Sequence, residues 1–165
     1  MRTPTNATAI TFQDTIRQHG LPGEVVEFEI TTRTAADAAA AIGCELGQIV
    51  KSLIFRNAED EGVIILTSGS NRVDEALVAE ATGETLGKAD ADFVRTLTGF
   101  AIGGVPPFGP QPLAADLQPA HTYIDEDLLQ YAEVWAAAGT PHAVFPLPPD
   151  ALLRISGGKV IRVHG

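Results

Sequence analysis

Two runs rich in β-branched residues, QIVKSLIFR (48–56) and GVIILTS (62–68), constrain the fold of this chain more than any other feature. Only the polar stretch NAEDE separates them, so the pair predicts an antiparallel β-hairpin. Alternate side chains of a strand share a face, which places Lys51 on the side of Leu53 and Phe55. Because the opposite face of the same strand is also largely apolar, Lys51 is expected to lie mid-strand without a solvent face of its own.

Strand-like and helix-like segments interleave along the rest of the chain, and most of the helical segments stop at a glycine. This order favours one α/β (α+β) domain with a mixed, mostly antiparallel sheet surrounded by short helices. The predicted helices cover residues 8–19, 34–43 (with Thr34 as N-cap), 73–83, 90–99 and 148–156, and the further predicted strands cover 24–30, 121–125, 131–138, 142–147 and 159–163.

The length of 165 residues, 45% of them hydrophobic, predicts a single domain over residues 1–165, with residues 1–23 as an N-terminal helix and linker. No apolar run is long enough for a membrane span, and no secretory signal is visible at the N-terminus. Cys44 is the only cysteine, which excludes an internal disulfide and favours a cytoplasmic setting. We interpret Cys44 as a small buried side chain after a helix.

The net charge of −10 limits the partners that the chain can bind. An acidic protein repels nucleic acid at long range, so contact with a polynucleotide must depend on a local basic patch or a short segment.

Lys51 is the first candidate functional residue. A lysine is seldom fully buried without a partner, because removing its ammonium from water costs several kcal/mol. The side chain therefore either reaches solvent or pairs with a structural carboxylate such as Asp74, or it lines a cleft that binds an anion. The sequence alone leaves these alternatives open.

The stretch TGFAIGGVPPFG (98–109) is the second candidate. Glycine lets a ligand approach the main chain closely, and proline fixes the backbone and removes donors, so the remaining N–H and C=O groups have fixed directions. The stretch is not a nucleotide-binding P-loop, since no Gly-Lys-Ser/Thr follows it. It is either a rigid ligand-binding loop or a tight connection between strands.

Other reactive side chains lack a supporting motif. Ser68 and Ser70 do not have the spacing of a nucleophile elbow. The histidines at 19, 121, 142 and 164 form no i, i+4 pair, so the sequence does not support a zinc site. The acidic stretches EDE (59–61) and DED (125–127) are interpreted as solvated turns.

Taken together, IVKSLIF (49–55), ILTSGSNRVD (65–74) and TGFAIGGVPPFG (98–109) resemble the YbaK/EbsC family in order and spacing. The family includes the editing domain inserted in bacterial prolyl-tRNA synthetases and free-standing relatives of that domain. The resemblance extends from about residue 24 to the C-terminus, and it implies the family's single α/β domain.

The resemblance implies an aminoacyl-tRNA deacylase that hydrolyses mischarged aminoacyl-tRNA in trans, without a metal or a cofactor. The tRNA acceptor end carrying a small amino acid, on tRNA-Pro for example, would be the substrate, and an aminoacyl-tRNA synthetase is a second candidate partner. Lys51 matches the family's catalytic lysine, and AAAGTPH (136–142) lies in the region that sets amino-acid specificity. The substrate-binding residues that the resemblance implies are Gly103, Gly104, Val105, Pro106, Pro107, Gly139 and His142.

No serine, cysteine or histidine stands in a recognisable catalytic motif, so the reactive groups are expected to come from water and from the substrate. The hydroxyl next to the ester on the terminal ribose is the nearest candidate to orient that water. Two other functions fit the same residues: a non-catalytic module that binds an aminoacyl-adenosine-like ligand or a synthetase, and a hydrolase of an unrelated small ester or amide.

Overall fold

The structure is a computed structural model, and it describes residues 1–107 and 121–165. Four of the described helices begin at a polar cap, the fifth begins after Pro148, and most of them end at glycine. The Thr34 hydroxyl accepts a hydrogen bond from the Asp37 N–H, and Gly43 follows that helix in the left-handed conformation, at φ 86°. The helices lie where the sequence predicted them: α1 (Ala7–Gln18), α2 (Ala35–Ile42), α3 (Glu75–Thr82), α4 (Ala91–Thr98) and α5 (Pro149–Ser156), with 3₁₀ turns at Leu46–Gln48 and Glu126–Gln130.

The predicted hairpin is confirmed, and Lys51 lies opposite Thr67 in its antiparallel register. The strands are β1 (Val26–Glu27), β2 (Val50–Arg56), β3 (Gly62–Ser68), β4 (Gly87–Lys88), β5 (His121–Asp125), β6 (Val134–Ala137), β7 (Ala143–Leu147) and β8 (Lys159–Ile161).

The strands form two sheets, where the sequence predicted one. A five-stranded sheet has the order β4-β2-β3-β5-β8, and a three-stranded antiparallel sheet has the order β1-β7-β6. The β3–β5 and β5–β8 pairs are parallel and the other pairs are antiparallel, so the predicted mixed and mostly antiparallel α/β fold is confirmed. A single parallel bridge between Ile49 and Trp135 joins the two sheets.

The predicted strand over 24–30 is much shorter in the structure. Val26 and Glu27 are the residues that pair with β7. The Phe28 N–H continues this register with a bond at 2.8 Å to the carbonyl of His142, the residue before β7, and the Val25 N–H donates to the Gln13 side chain at 2.7 Å.

Apolar side chains cover both faces of the five-stranded sheet. Leu66 and Ile124 pack in the main core with side chains from α1, the three-stranded sheet and α5. Val63 and Ile65, which alternate with them, pack on the opposite face against Val78 of α3. Since neither face is open to water, β2 is half-buried along most of its length, as its two-sided apolar pattern indicated.

The N-terminal segment is tied to the rest of the domain through Glu27, a carboxylate that is 5% exposed. Glu27 accepts hydrogen bonds from the N–H groups of Thr5 and Asn6, at 2.7 and 3.0 Å, and from the Thr5 hydroxyl at 2.8 Å. Arg2 adds an ion pair at 3.2 Å. These bonds to Asn6, Thr5 and Arg2 lower the pKa of Glu27 from 4.5 to about 2.

None of the helices described here is long and apolar enough to cross a membrane.

We predict that Glu27→Gln lowers the free energy of unfolding at pH 7 by about 2 kcal/mol, because a neutral amide replaces a carboxylate that accepts several hydrogen bonds. The folded-state pKa lies below the unfolded value, so this stabilisation is present above pH 4.5 and is lost as the pH falls toward 2. Urea unfolding across this range tests the prediction. Glu29→Gln, at a side chain 60% exposed, is the control, and equal unfolding midpoints for both variants at pH 7 would contradict it.

Candidate functional site

Lys51 projects from the start of β2, and its ammonium binds a neutral acceptor. The Nζ atom donates to the main-chain carbonyl of Asn71 at 2.7 Å. Asp74 is not its partner, since the Asp74 carboxylate caps α3 by accepting from the Leu77 N–H at 3.1 Å. Within residues 1–107 and 121–165 no carboxylate forms an ion pair with Lys51, so the Asp74 alternative is wrong.

The electrostatic surroundings of Lys51 disfavour its charge when no ligand is present. Burial lowers the pKa of Lys51, and the neighbouring Arg72 charge lowers this pKa further. Asp125 acts in the opposite direction with a smaller effect. A half-buried ammonium in this position gains from any anion that enters beside it.

Asn71 is held in place by two carboxylates. Its amide nitrogen donates to Asp125 and to Asp127, at 2.8 Å each, which satisfies both amide hydrogens. Asp125 also accepts from the N–H groups of Ser68, at 3.0 Å, and Asp127, at 2.9 Å. The carbonyl that binds Lys51 therefore belongs to a residue whose side chain is fixed to β5 and the following turn.

The interpretation of residues 125–127 as a solvated turn is wrong for Asp125, because its carboxylate is buried and only 1% exposed. Asp127 is partly exposed and meets the His164 ring nitrogen Nε2 at 3.0 Å. The hydrogen bond from His164 lowers the pKa of Asp127, and the same bond raises the pKa of His164. By contrast, Glu59 and Asp60 are exposed, as predicted for 59–61.

A cavity of about 300 Å³ opens beside Lys51. Lys51, Gly103 and Val105 all lie on its wall, so the structure brings together the strand lysine and part of the glycine-proline loop. The loop before α2 contributes Arg33, and Ile102 stands exposed at the rim. Most of the remaining wall is apolar and comprises Phe28, Ala35, Ala38, Ile49, Val50, Leu53, Trp135, Ala137, Pro141, Ala143 and Val144, with hydroxyls from Thr32, Thr34 and Ser52.

Several of the expected substrate-binding residues lie away from this wall. Gly104, Pro106 and Pro107 are buried and do not line it. Gly139 packs near Phe100 and Thr8, and the His142 side chain is exposed and lines a separate hollow with Arg2 and Glu27. From the segment 136–142, Ala137 and Pro141 line the cavity. Phe108 and Gly109, at the end of the quoted loop, lie outside the described residues.

The outer edge of β2 presents main-chain groups to the same cavity. The Gly69 N–H donates to the Ile49 carbonyl at 2.7 Å. Because every second residue of an antiparallel strand bonds to the same neighbour, the main-chain groups of residues 49, 51 and 53 point toward β3. The N–H and C=O of Ser52 therefore point to the other edge. Among the described residues, β4 pairs with Phe55 and Arg56 at that edge, and an isolated parallel bridge joins Ile49 to Trp135 of β6. The sequence pattern showed which side chains share a face but not that Ser52 has no paired strand at this edge in residues 1–107 and 121–165.

No acid, base or thiol stands on the described part of the cavity wall, which contains no histidine, cysteine, aspartate or glutamate. The Ser68 hydroxyl is fully buried and donates to the Gly47 carbonyl at 2.7 Å. Cys44 is half-buried, and burial raises the pKa of its thiol. The described residues also contain no cluster of side chains that could hold a metal ion. The wall offers one ammonium, an arginine, hydroxyls and main-chain groups.

The family model described as "Aminoacyl-tRNA editing domain" matches residues 30–155 of the chain. This stretch contains Lys51, the hairpin and the glycine-proline loop.

Two curated proteins and one solved structure illustrate the similarity. The uncharacterized protein YwhH of Bacillus subtilis is 34% identical over 137 residues, 83% of each chain. The candidate Cys-tRNA(Pro)/Cys-tRNA(Cys) deacylase EbsC of Enterococcus faecalis is 26% identical over 153 residues, covering 90% of this chain and 88% of EbsC. A crystal structure described as a candidate trans-editing enzyme for prolyl tRNA synthetase is 42% identical, with a TM-score of 0.87 over 98% of this chain and 99% of that one.

Gly104 lies so close to another loop that a side chain would not fit, which is a packing constraint separate from the approach of a ligand. A Cβ at this position would lie 2.8 Å from the Cα of Thr140 and 3.0 Å from the Gly139 carbonyl oxygen, so the main chain of the next loop occupies the space. We predict that Gly104→Ala lowers the free energy of unfolding by about 1–3 kcal/mol through this overlap. Urea unfolding measures it, with Ala101→Ser, at an exposed position of the same loop, as the control. A Gly104→Ala variant as stable as this control would show that the two loops do not pack as described.

Proposed function

The chain belongs to the aminoacyl-tRNA editing domain family, as the YbaK/EbsC resemblance of its sequence predicted, and we propose that it deacylates mischarged aminoacyl-tRNA in trans in the cytoplasm. The observation that carries the proposal is the cavity wall, where the Lys51 ammonium forms no ion pair with any described carboxylate and stands beside the main chain of Ser52 and Gly103. The substrate that we propose is a small amino acid on tRNA-Pro, which is consistent with the names of two relatives and with a cavity of about 300 Å³.

Lys51 would bind the phosphate of the terminal adenosine. A phosphate provides the direct ion pair that no carboxylate of the described residues forms with Lys51, and charge-assisted hydrogen bonds of this kind are about twice as strong as neutral ones. Because the Asn71 carbonyl already directs the ammonium, the side chain loses little rotational freedom when the phosphate binds. The phosphate then anchors the ester at a fixed distance from the Lys51 side chain.

Main-chain groups would hold and polarise the ester. Gly103 and Val105 of the loop, with the open edge of β2 at Ser52, stand on the wall that the aminoacyl group would contact. Fixed N–H donors stabilise the oxyanion that forms when water attacks an ester carbonyl, typically by a factor of about a hundred to a thousand in rate for each donor. The apolar residues around them exclude bulk water and accept the small side chain.

The attacking water would be oriented by the substrate. The described wall has no histidine or carboxylate to act as general base, and the Lys51 Nζ atom donates to the Asn71 carbonyl, so the ribose hydroxyl next to the ester is the group best placed to position the water. The water oxygen forms a bond to the carbonyl carbon, the bond to the ribose oxygen breaks, and that oxygen takes up a proton. The products are the free amino acid and a tRNA with an intact terminal ribose.

We predict that Lys51→Met lowers kcat/KM for deacylation about tenfold to a hundredfold, because one charge-assisted hydrogen bond is lost. Its thermal stability should be unchanged or slightly raised, since a half-buried ammonium is removed. The measurement is release of radiolabelled amino acid from a panel of mischarged tRNAs. Lys159→Met, at an exposed lysine of β8, is the matched control. Equal rates for the wild type and Lys51→Met on a tRNA that the wild type cleaves would remove Lys51 from the mechanism.

We predict that a mischarged tRNA whose free ribose hydroxyl next to the ester is replaced by hydrogen binds normally but is hydrolysed at least about a hundredfold more slowly. Single-turnover rates and binding on the same substrate separate the two effects. Cys44→Ala and Ser68→Ala should retain the turnover of the wild type per folded molecule. Normal cleavage of the deoxy substrate, or loss of turnover in either variant, would require a nucleophile from the protein. Binding of all mischarged tRNAs without any hydrolysis would instead identify a non-catalytic module.

A further inference from the structure

Two arginines flank Lys51 at the candidate site. Arg33 lines the cavity and is exposed. Arg72 directly follows Asn71, whose carbonyl lies 2.7 Å from the Lys51 ammonium, so the Arg72 backbone begins beside that charge. Arg72 is also exposed. Arg33 thus stands on the cavity wall with Lys51, and the Arg72 charge lies close enough to lower the pKa of Lys51, in a chain whose net charge is −10.

Neither arginine is neutralised by an ion pair in the part of the chain that the structure describes. Three other arginines are paired: Arg2 with Glu27 at 3.2 Å, Arg17 with Asp14 at 3.7 Å, and Arg56 with Asp60 at 3.1 Å. Arg95, Arg154 and Arg162 likewise form no ion pair with the described residues, but none of these three lines the cavity. The chain has many carboxylates, yet none of the described ones forms an ion pair with Arg33 or Arg72. Both guanidinium groups therefore remain available to bind an anion from outside the protein.

The carboxylates closest to these cations are engaged in other bonds. Asp125 and Asp127 hold the Asn71 amide. Asp37 accepts from the N–H groups of Arg33, at 3.1 Å, and Thr34, at 3.3 Å, at the start of α2. The Arg33 charge also contributes to lowering the pKa of Asp37, after the hydrogen bonds from the backbone. These acids stabilise the loops that carry the arginines, and their hydrogen bonds do not involve either guanidinium.

We propose that Arg33 and Arg72 bind backbone phosphates of the single-stranded tRNA acceptor end, on the 5′ side of the terminal phosphate bound by Lys51. The inference rests on the proposed function and extends it beyond the terminal nucleotide. A guanidinium presents a planar fork of donors that matches phosphate geometry, and a local cluster of cations concentrates a polyanion that the rest of the acidic surface repels. The three cations Lys51, Arg33 and Arg72 would let an acidic protein bind a tRNA by its acceptor end, without a basic surface for the tRNA body.

The test compares Arg33→Gln, Arg72→Gln and the double variant with Arg17→Gln, which removes the same charge from α1, away from the cavity. Fluorescence anisotropy reports binding of a single-stranded RNA ending in CCA at several salt concentrations. Each lost phosphate contact should reduce the slope of log K against log salt concentration by about 0.7 and should weaken binding roughly fivefold at low salt. In deacylation assays we expect KM to rise for each variant, with kcat changed less than about twofold.

The outcomes separate this inference from the proposed function. Unchanged affinity and unchanged salt slope in both variants would overturn the role of the arginines, even if the wild type deacylates tRNA. A wild type that binds the RNA with the predicted slopes but hydrolyses no mischarged tRNA would contradict the proposed activity and support the phosphate contacts. If Arg17→Gln reduces the slope as much as the other variants, the effect is one of overall charge and the inference fails.

Discussion

The hydrogen bond from the Lys51 ammonium to the Asn71 carbonyl is the interaction on which the candidate site depends. A carboxylate in the same place would neutralise the lysine, whereas a carbonyl directs it and leaves its charge available. The two carboxylates nearby instead hold the amide of Asn71, so they position the acceptor and do not form an ion pair with Lys51. The protein thus keeps a cation half-buried and ready for an anion.

Local patterns predicted most of the elements, because their causes are local. The hairpin of β2 and β3 follows from two β-branched runs joined by five polar residues, and α2 follows from its Thr34 cap and Gly43 stop. The division into two sheets could not be predicted, since it depends on β1 pairing with β7, more than a hundred residues away.

The site was predicted in part. Lys51 was identified because a lysine is seldom buried on a strand whose two faces are both apolar. The glycine-proline loop was identified by its composition. The burial of Asp125 could not be predicted, because the donors that satisfy it, Ser68 and Asn71, lie 57 and 54 residues away. His142 shows what sequence proximity leaves undetermined, since this side chain follows the cavity residue Pro141 but lines a different hollow.

The central claim is that Lys51 binds the phosphate of the terminal adenosine and thereby places the ester against main-chain donors. A crystal structure with an adenosine 5′-phosphate that carries an amide-linked alanine at its ribose tests this most directly, because the amide resists hydrolysis. The account predicts the Lys51 ammonium about 2.7–2.9 Å from a phosphate oxygen and the alanyl carbonyl beside Ser52 and Gly103. A phosphate bound elsewhere, with Lys51 still bonded only to Asn71, would contradict it.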